Sequence, residues 1–280
     1  MGNLRRLRHL YLPDWKVHSL GKKAKLRFDG LSKLETLENF NSDWCEVKDL
    51  PKLTSLRKLV LRVDNSCDHV EEMMKYLTAI ALSATSCLQY LVLTVCECDL
   101  GSRNGPDILR KLLSDHKYNL RELKLIGQLP ELAQLFEQQL QNTHTDVSLI
   151  HITRLHLMVS CLEEDPMPVL EKIQTLRELL LHRKAFMGQE LVCSAIGFPK
   201  LTHLVLRNLP NFMKWRVEEG SMPVLSHLMI RNCPKLEELP EGIKIFHSLQ
   251  ELRVEVMPLD FYKRLRVVNG AKYSIIVDID

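Results

Sequence analysis

Residues 225–233 read L-x-x-L-x-I-x-N-C, with Leu225, Leu228, Ile230, Asn232 and Cys233 at the fixed places. The same pattern stands 24 residues earlier at Leu201, Leu204, Leu206 and Asn208, and 24 later at Leu249, Leu252 and Val254. A period this short constrains the fold more than any other feature of the chain. One unit cannot bury its own leucines, so units must stack and share a continuous core. Within a unit the alternation is that of a strand, which turns Leu228 and Ile230 inward and His227, Met229 and Arg231 outward. Asn232 is expected to satisfy backbone groups where the chain turns off the strand.

Ten units account for most of the chain. They start at Leu7, Leu34, Leu56, Leu88, Leu120, Ile152, Leu176, Leu201, Leu225 and Leu249. From Leu56 to Ile152 the interval is 32 residues, and after Ile152 it is 24 or 25. The unit at Leu34 is irregular, its third apolar position falling on Asn39 or slipping to Phe40. The long intervals have room for an outer helix. Val70, Met73, Met74, Leu77, Ile80 and Ala81 have helical spacing, with Asp68 and Glu71 able to cap the start. Pro106 before Ile108, Leu109, Leu112 and Leu113, and Pro130 before Leu132, Leu135, Phe136 and Leu140, predict two more. The short intervals predict only turns or brief 3₁₀ segments. Tyr273 to Val277 read as a last short strand covering the open end. The fold class is an α/β solenoid: an arc with a parallel concave sheet and convex helices or turns. One repeat domain of about ten units spans 1–280, irregular and uncapped over 1–50, with a C-terminal cap over 257–280.

Composition excludes several classes. No apolar run approaches the roughly 18 residues that span a bilayer, and the N-terminus lacks the apolar core of a secretory signal. Eight scattered cysteines form no disulfide framework, and the chain contains no N-x-[ST] site. These features favour a reducing, cytoplasmic location. Charge is uneven: nine Lys or Arg against Asp14 and Asp29 within the first 33 residues give +7 there, leaving −4 for the remainder. Arg5, Arg6, Arg8, Lys22, Lys23, Lys25 and Arg27 form a basic patch suited to an acidic partner or a neighbouring domain. With no interleaved aromatics beyond Tyr11, Trp15 and Phe28 and no binding motif, nucleic acid is not the expected partner.

The outward strand positions form columns along the concave face. One reads Tyr11, Glu38, Val60, Val92, Lys124, His156, Leu180, Val205, Met229 and Arg253; another carries His182, Arg207 and Arg231. Apolar residues in an exposed column mark a contact surface. The candidate protein-binding surface is therefore His156, Leu180, His182, Val205, Arg207, Met229, Arg231 and Arg253. Chemistry is sparse. His203 and His227 lie between Glu178 and Glu251 but read as a ladder rather than as converging zinc ligands, and Cys96-x-Cys98 lacks a second pair. There is no phosphate-binding loop, no G-x-S-x-G and no H-E-x-x-H. No catalytic, cofactor or metal site is expected, and no enzyme.

The C-terminal third resembles a specific family. Ala185-Phe186-Met187-Gly188, Val192-Cys193-Ser194, Gly197-Phe198-Pro199-Lys200-Leu201 and the run from Trp215 to Pro223 carry the likeness. So do the run from Cys233 to Gly242 and Met257-Pro258 with Phe261, Arg264 and Leu265. This pattern is similar to the leucine-rich-repeat domain of plant intracellular coiled-coil, nucleotide-binding disease resistance proteins. The resemblance implies a cytoplasmic immune module whose repeats sense a pathogen effector or a host guardee. It also implies restraint of a nucleotide-binding switch, although this sequence contains only the repeats. The alternative is a stand-alone adaptor, such as the substrate reader of a ubiquitin ligase, which the lack of an F-box-like helix disfavours.

Overall fold

The computed structural model describes residues 4–13, 25–63, 73, 75–77, 80, 87–95, 120–128, 151–240, 246–265 and 274–278. The chain divides into two compact units, Met1–Gln128 and Leu129–Asp280. In the first, five strands run parallel in chain order: β1 His9–Tyr11, β2 Thr36–Asn41, β3 Lys58–Val63, β4 Tyr90–Val95 and β5 Glu122–Ile126. In the second, β6 Arg154–Met158 and β7 Glu178–His182 begin a parallel sheet. β8 Glu190–Cys193 leaves that sheet, β9 His203–Arg207 rejoins it, and β10 Lys214–Val217 leaves again to pair with β8. β11 His227–Arg231, β12 Glu251–Glu255 and β13 Ser274–Asp278 complete it. Each of the ten pattern units supplies one strand, and β13 is the terminal strand expected from the sequence.

The leucines build the core as the alternation requires. Leu204, Leu206, Leu228, Ile230, Leu252 and Val254 are buried, and so are Leu59, Leu61, Leu91, Leu93, Leu123 and Leu125 in the first unit. The first apolar residue of each unit from Leu34 onward is buried as well, whereas Leu7 is half-buried, and in several units this residue closes the turn that feeds the strand. Leu201 N–H donates to the Phe198 carbonyl, and Leu225 N–H to that of Met222. Adjacent rungs are also tied at the strand entry. The Thr202 carbonyl accepts both the Ser226 and the His227 N–H, the Arg177 carbonyl those of Thr202 and His203, and the Ser226 carbonyl those of Gln250 and Glu251.

The irregular unit at Leu34 resolves in favour of Phe40. A bulge between Leu37 and Phe40 places Phe40 opposite Leu61 in the core, against Phe28 with ring centroids 5.5 Å apart. Asn39 takes the extra place in a left-handed conformation, φ 59°, and its side-chain amide donates to the Leu12 carbonyl at 2.8 Å. The same backbone device ends five strands of the second unit: Val159, Arg183, Asn208, Asn232 and Val256 each have φ between 49° and 58°. Asn232 accordingly acts through its backbone, its N–H donating to the Glu255 carbonyl.

Outside the sheet, the expected helix near residues 70–81 is present where the structure describes it. Met73, Leu77 and Ile80 are helical and buried, whereas Val70, Met74 and Ala81 lie outside the described residues. The two helices predicted after Pro106 and Pro130 also lie outside them. The expectation of mere turns after Ile152 is corrected. A short helix α1, Met167–Leu170, precedes β7 and lies against β8, and β8 with β10 forms a second parallel sheet. Their four-residue runs alternate, so Leu191, Cys193 and Trp215 are buried while Lys214 and Arg216 are exposed. Acidic side chains serve the free amides there. Asp165 accepts the Met167 and Val192 N–H groups at 2.9 and 2.8 Å, and Glu171 accepts both the N–H and the hydroxyl of Ser194. At the far end α2, Leu259–Leu265, buries Phe261, Tyr262 and Leu265, and the Tyr262 hydroxyl accepts the Met257 N–H.

Candidate functional site

Three rows of side chains stand on the outer face of the second unit's sheet. Strand register aligns them without a shift from β6 to β12. The first row is Arg154, Glu178, His203, His227 and Glu251; the second His156, Leu180, Val205, Met229 and Arg253; the third Met158, His182, Arg207, Arg231 and Glu255. All eight residues of the candidate surface fall in the second and third rows, half-buried, on neighbouring strands. The sheet brings them together as the sequence predicts. Parallel strands lie about 4.8 Å apart, so Leu180, Val205 and Met229 form one apolar strip.

The charges around that strip are partly compensated, which the sequence reading did not take into account. Arg231 pairs with Glu255 across adjacent strands, and Arg253 lies 3.0 Å from Glu251 and 4.0 Å from Glu255. His156 Nε2 sits 3.0 Å from Glu178, which also holds Arg154 at 3.2 Å. Glu178 and Glu255 each face an arginine one rung away, and Glu251 stands two residues from Arg253 on its own strand; that spacing was the available signal. Arg207 has no acidic partner among the described residues. Its Nε is shielded from solvent without a hydrogen-bond acceptor. Beside it His182 is hydrogen-bonded by Asn208, while burial and the charges of Arg207 and Arg183 push its pKa below the usual imidazole value.

In the first row His203 and His227 stack face to face, ring centroids 4.4 Å apart and planes within 3°. Their Nδ1 atoms lie 3.0 and 2.8 Å from the Thr202 and Ser226 hydroxyls. Burial and the neighbouring imidazole lower the His203 pKa. Among the described residues no group of three or more His, Cys, Asp or Glu is placed to hold a metal. The buried thiols are inert. Desolvation pushes Cys45 up to about 11 and Cys193 and Cys233 up to about 12, far from thiolate formation at neutral pH. The Cys96-x-Cys98 pair lies outside the described residues.

The first unit presents a different outer face. Tyr90 lies between two lysines, with Lys58 Nζ 4.7 Å and Lys124 Nζ 5.5 Å from its ring centroid. Val92, expected on the exposed column, is buried instead at 7% exposure. Lys124 stands directly beside it in the register and reaches over toward the Tyr90 ring. The basic patch is also more fully engaged than its sequence suggests. Arg8 donates from Nε to Glu35 at 2.8 Å, Lys25 donates to the Ser42 carbonyl at 2.9 Å, and Arg27 pairs with Asp49 at 2.8 Å and with Asp29. Arg5 and Arg6 are exposed, and Lys22 and Lys23 lie outside the described residues. Leu4 and Tyr11, 46% and 64% exposed, add apolar surface beside β1.

Comparison with known proteins agrees with this architecture. A family described as a leucine-rich repeat region matches residues 1–263. The probable disease resistance protein RF9 of Arabidopsis thaliana is 38% identical over 238 residues, 85% of this chain and 20% of that protein. Disease resistance protein RPP8 of the same plant is 32% identical over 267 residues, 95% of this chain and 27% of its own length. The probable disease resistance protein RXW24L is 36% identical over 274 residues, covering 97% and 27%. The chain thus spans about a fifth to a quarter of the length of these curated relatives. Among the described residues no helix is long and apolar enough to cross a membrane.

Proposed function

This chain belongs to the leucine-rich repeat family carried by plant disease resistance proteins, and from that premise we propose that it is a cytoplasmic recognition module of plant innate immunity. It binds a pathogen effector, or a host protein that an effector alters, and performs no chemistry of its own. The observation that carries the reading is the strip Leu180, Val205 and Met229. Three large apolar side chains stand in one row on the outer face of rigid strands, ringed by His156, Arg207, Arg231 and Arg253. An apolar centre with a charged rim is the usual build of a protein interface. In leaf tissue, the triple change Leu180→Glu, Val205→Glu and Met229→Glu within the full-length receptor should abolish elicitor-dependent cell death. The isolated chain should keep its melting temperature. Retained cell death in that variant would overturn the proposal.

The same module restrains a nucleotide-binding switch through its N-terminal surface. Exposed Arg5, Arg6, Leu4 and Tyr11 beside β1 support this reading: charge orients docking and apolar contact holds it. Binding of a matching nucleotide-binding domain added in trans should weaken as salt rises. It should weaken again with Arg5→Glu and Arg6→Glu. Binding indifferent to both would remove the restraint without touching the recognition reading.

A further inference from the structure

Arg207 occupies an unusual position in the third row. Its register neighbours are His182 on β7 and Arg231 on β11, so a cation stands against another cation and a histidine. Like charges directly opposite on paired strands destabilise a sheet. One rung further the chain resolves the same problem: Glu255 on β12 faces Arg231 and takes its guanidinium. Among the described residues no such carboxylate reaches Arg207, whose Nε is withdrawn from water without an acceptor. Around it stand exposed Arg183 and Lys184, with Asn208 holding the His182 ring. A guanidinium Nε that has lost water and gained nothing is costly, and an acceptor brought by a partner would offset that cost.

We infer that Arg207 is the receiving point for a carboxylate side chain of an acidic segment on the partner protein, seated between His182 and Arg231 as Glu255 is seated against Arg231. A carboxylate fits better than a phosphate. Arg231 is already neutralised by Glu255, which leaves one uncompensated guanidinium in the row, and the fork of Arg207 matches a planar, singly charged acceptor. The apolar strip Leu180, Val205 and Met229 lies in the adjacent row, so the anchoring acid would sit at the edge of the proposed interface. The inference rests on the recognition reading above and names the chemistry at one corner of it.

The test uses the full 280-residue chain and a deca-glutamate peptide, followed by NMR of the histidine rings. The peptide should shift the His182 resonances and raise the His182 pKa, because a carboxylate beside it and Arg207 favours the imidazolium. Arg207→Gln should weaken binding roughly tenfold or more, and Arg207→Lys should restore part of it. Arg216→Gln on β10 should change nothing. Because Arg207 lacks an acidic partner among the described residues, Arg207→Gln should melt no lower than the parent, whereas a structural role would lower the melting temperature. Equal binding by Arg207→Gln, a lowered melting point, or displacement of the peptide by equimolar inorganic phosphate would overturn the assignment. If the peptide fails while the Leu180, Val205 and Met229 variant still loses cell death, the carboxylate site falls and the recognition reading stands.

Discussion

Asp49 is the most constrained single group in the first unit. Its side chain is fully buried, and burial alone would push its carboxyl up. Hydrogen bonds from Lys52, Arg27 and the Phe28 N–H outweigh that effect and hold it at about 2. A folded-state pKa below the unfolded value gives stability that is fully present above the ordinary carboxylate range and lost as pH falls toward 2. Acid titration of the melting temperature should therefore show a loss between about pH 4 and 2. In Asp49→Asn that loss should be much smaller, on a baseline lower by roughly 2 kcal/mol at neutral pH. An unchanged acid profile in the variant would refute the role. Residues one apart on a strand differ as sharply. Leu228→Ala opens a cavity in the leucine row and should cost roughly 2–5 kcal/mol. His227→Ala, which loses the stack on His203 and little burial, should cost under about 1 kcal/mol. Equal losses in denaturant melts would reverse the assignment of inside and outside.

At the scale of elements, the strands were legible because their alternation is strict. Leu-x-x-Leu-x-Leu gives the inward positions, and the bulge at Asn39 was the one ambiguity, resolved by the larger apolar volume of Phe40. The second sheet was not legible in the same way. β8 and β10 are four residues each, and their buried side chains are one leucine, Leu191, with Cys193 and Trp215, so no periodic signal exceeds a turn's length. The strand ends hold a further, testable strain. Val159 and Val256 have β-branched side chains at φ 58° and 52°, where Asn208 and Asn232 stand on other rungs. The left-handed region is costly for a β-branched residue and least so for Asn or Gly. Val159→Asn should stabilise by about 1 kcal/mol, a rise of roughly 2–4 °C in melting temperature. A fall would show that the packing of Val159 outweighs its backbone conformation.

For the whole molecule, sequence and structure part company over charge as well as over the second sheet. The candidate rows were placed by counting alone, but their pairing was not. Opposite charges a full repeat apart, such as Arg231 and Glu255, become neighbours only when the strands stack in register. Arg8 and Glu35, 27 residues apart, join for the same reason. The carbonyl that accepts two amides from the next rung at each strand entry has a consequence of another kind. The bond is indifferent to side chains and depends only on spacing, so any two units in phase can form it. Excision of residues 201–224 would bring the Arg177 carbonyl to the amides of Ser226 and His227, with Arg231 beside His182 and Met229 beside Leu180. Such a chain should still melt cooperatively, at a lower temperature because the β8–β10 pair is lost. Excision of only residues 201–212 should melt far lower, and equal melting of the two would refute the role of phase. The stack is thus a surface that can be lengthened, shortened or recombined by whole periods while every remaining joint is reused. A lineage could change what the face reads without first finding a new way to fold.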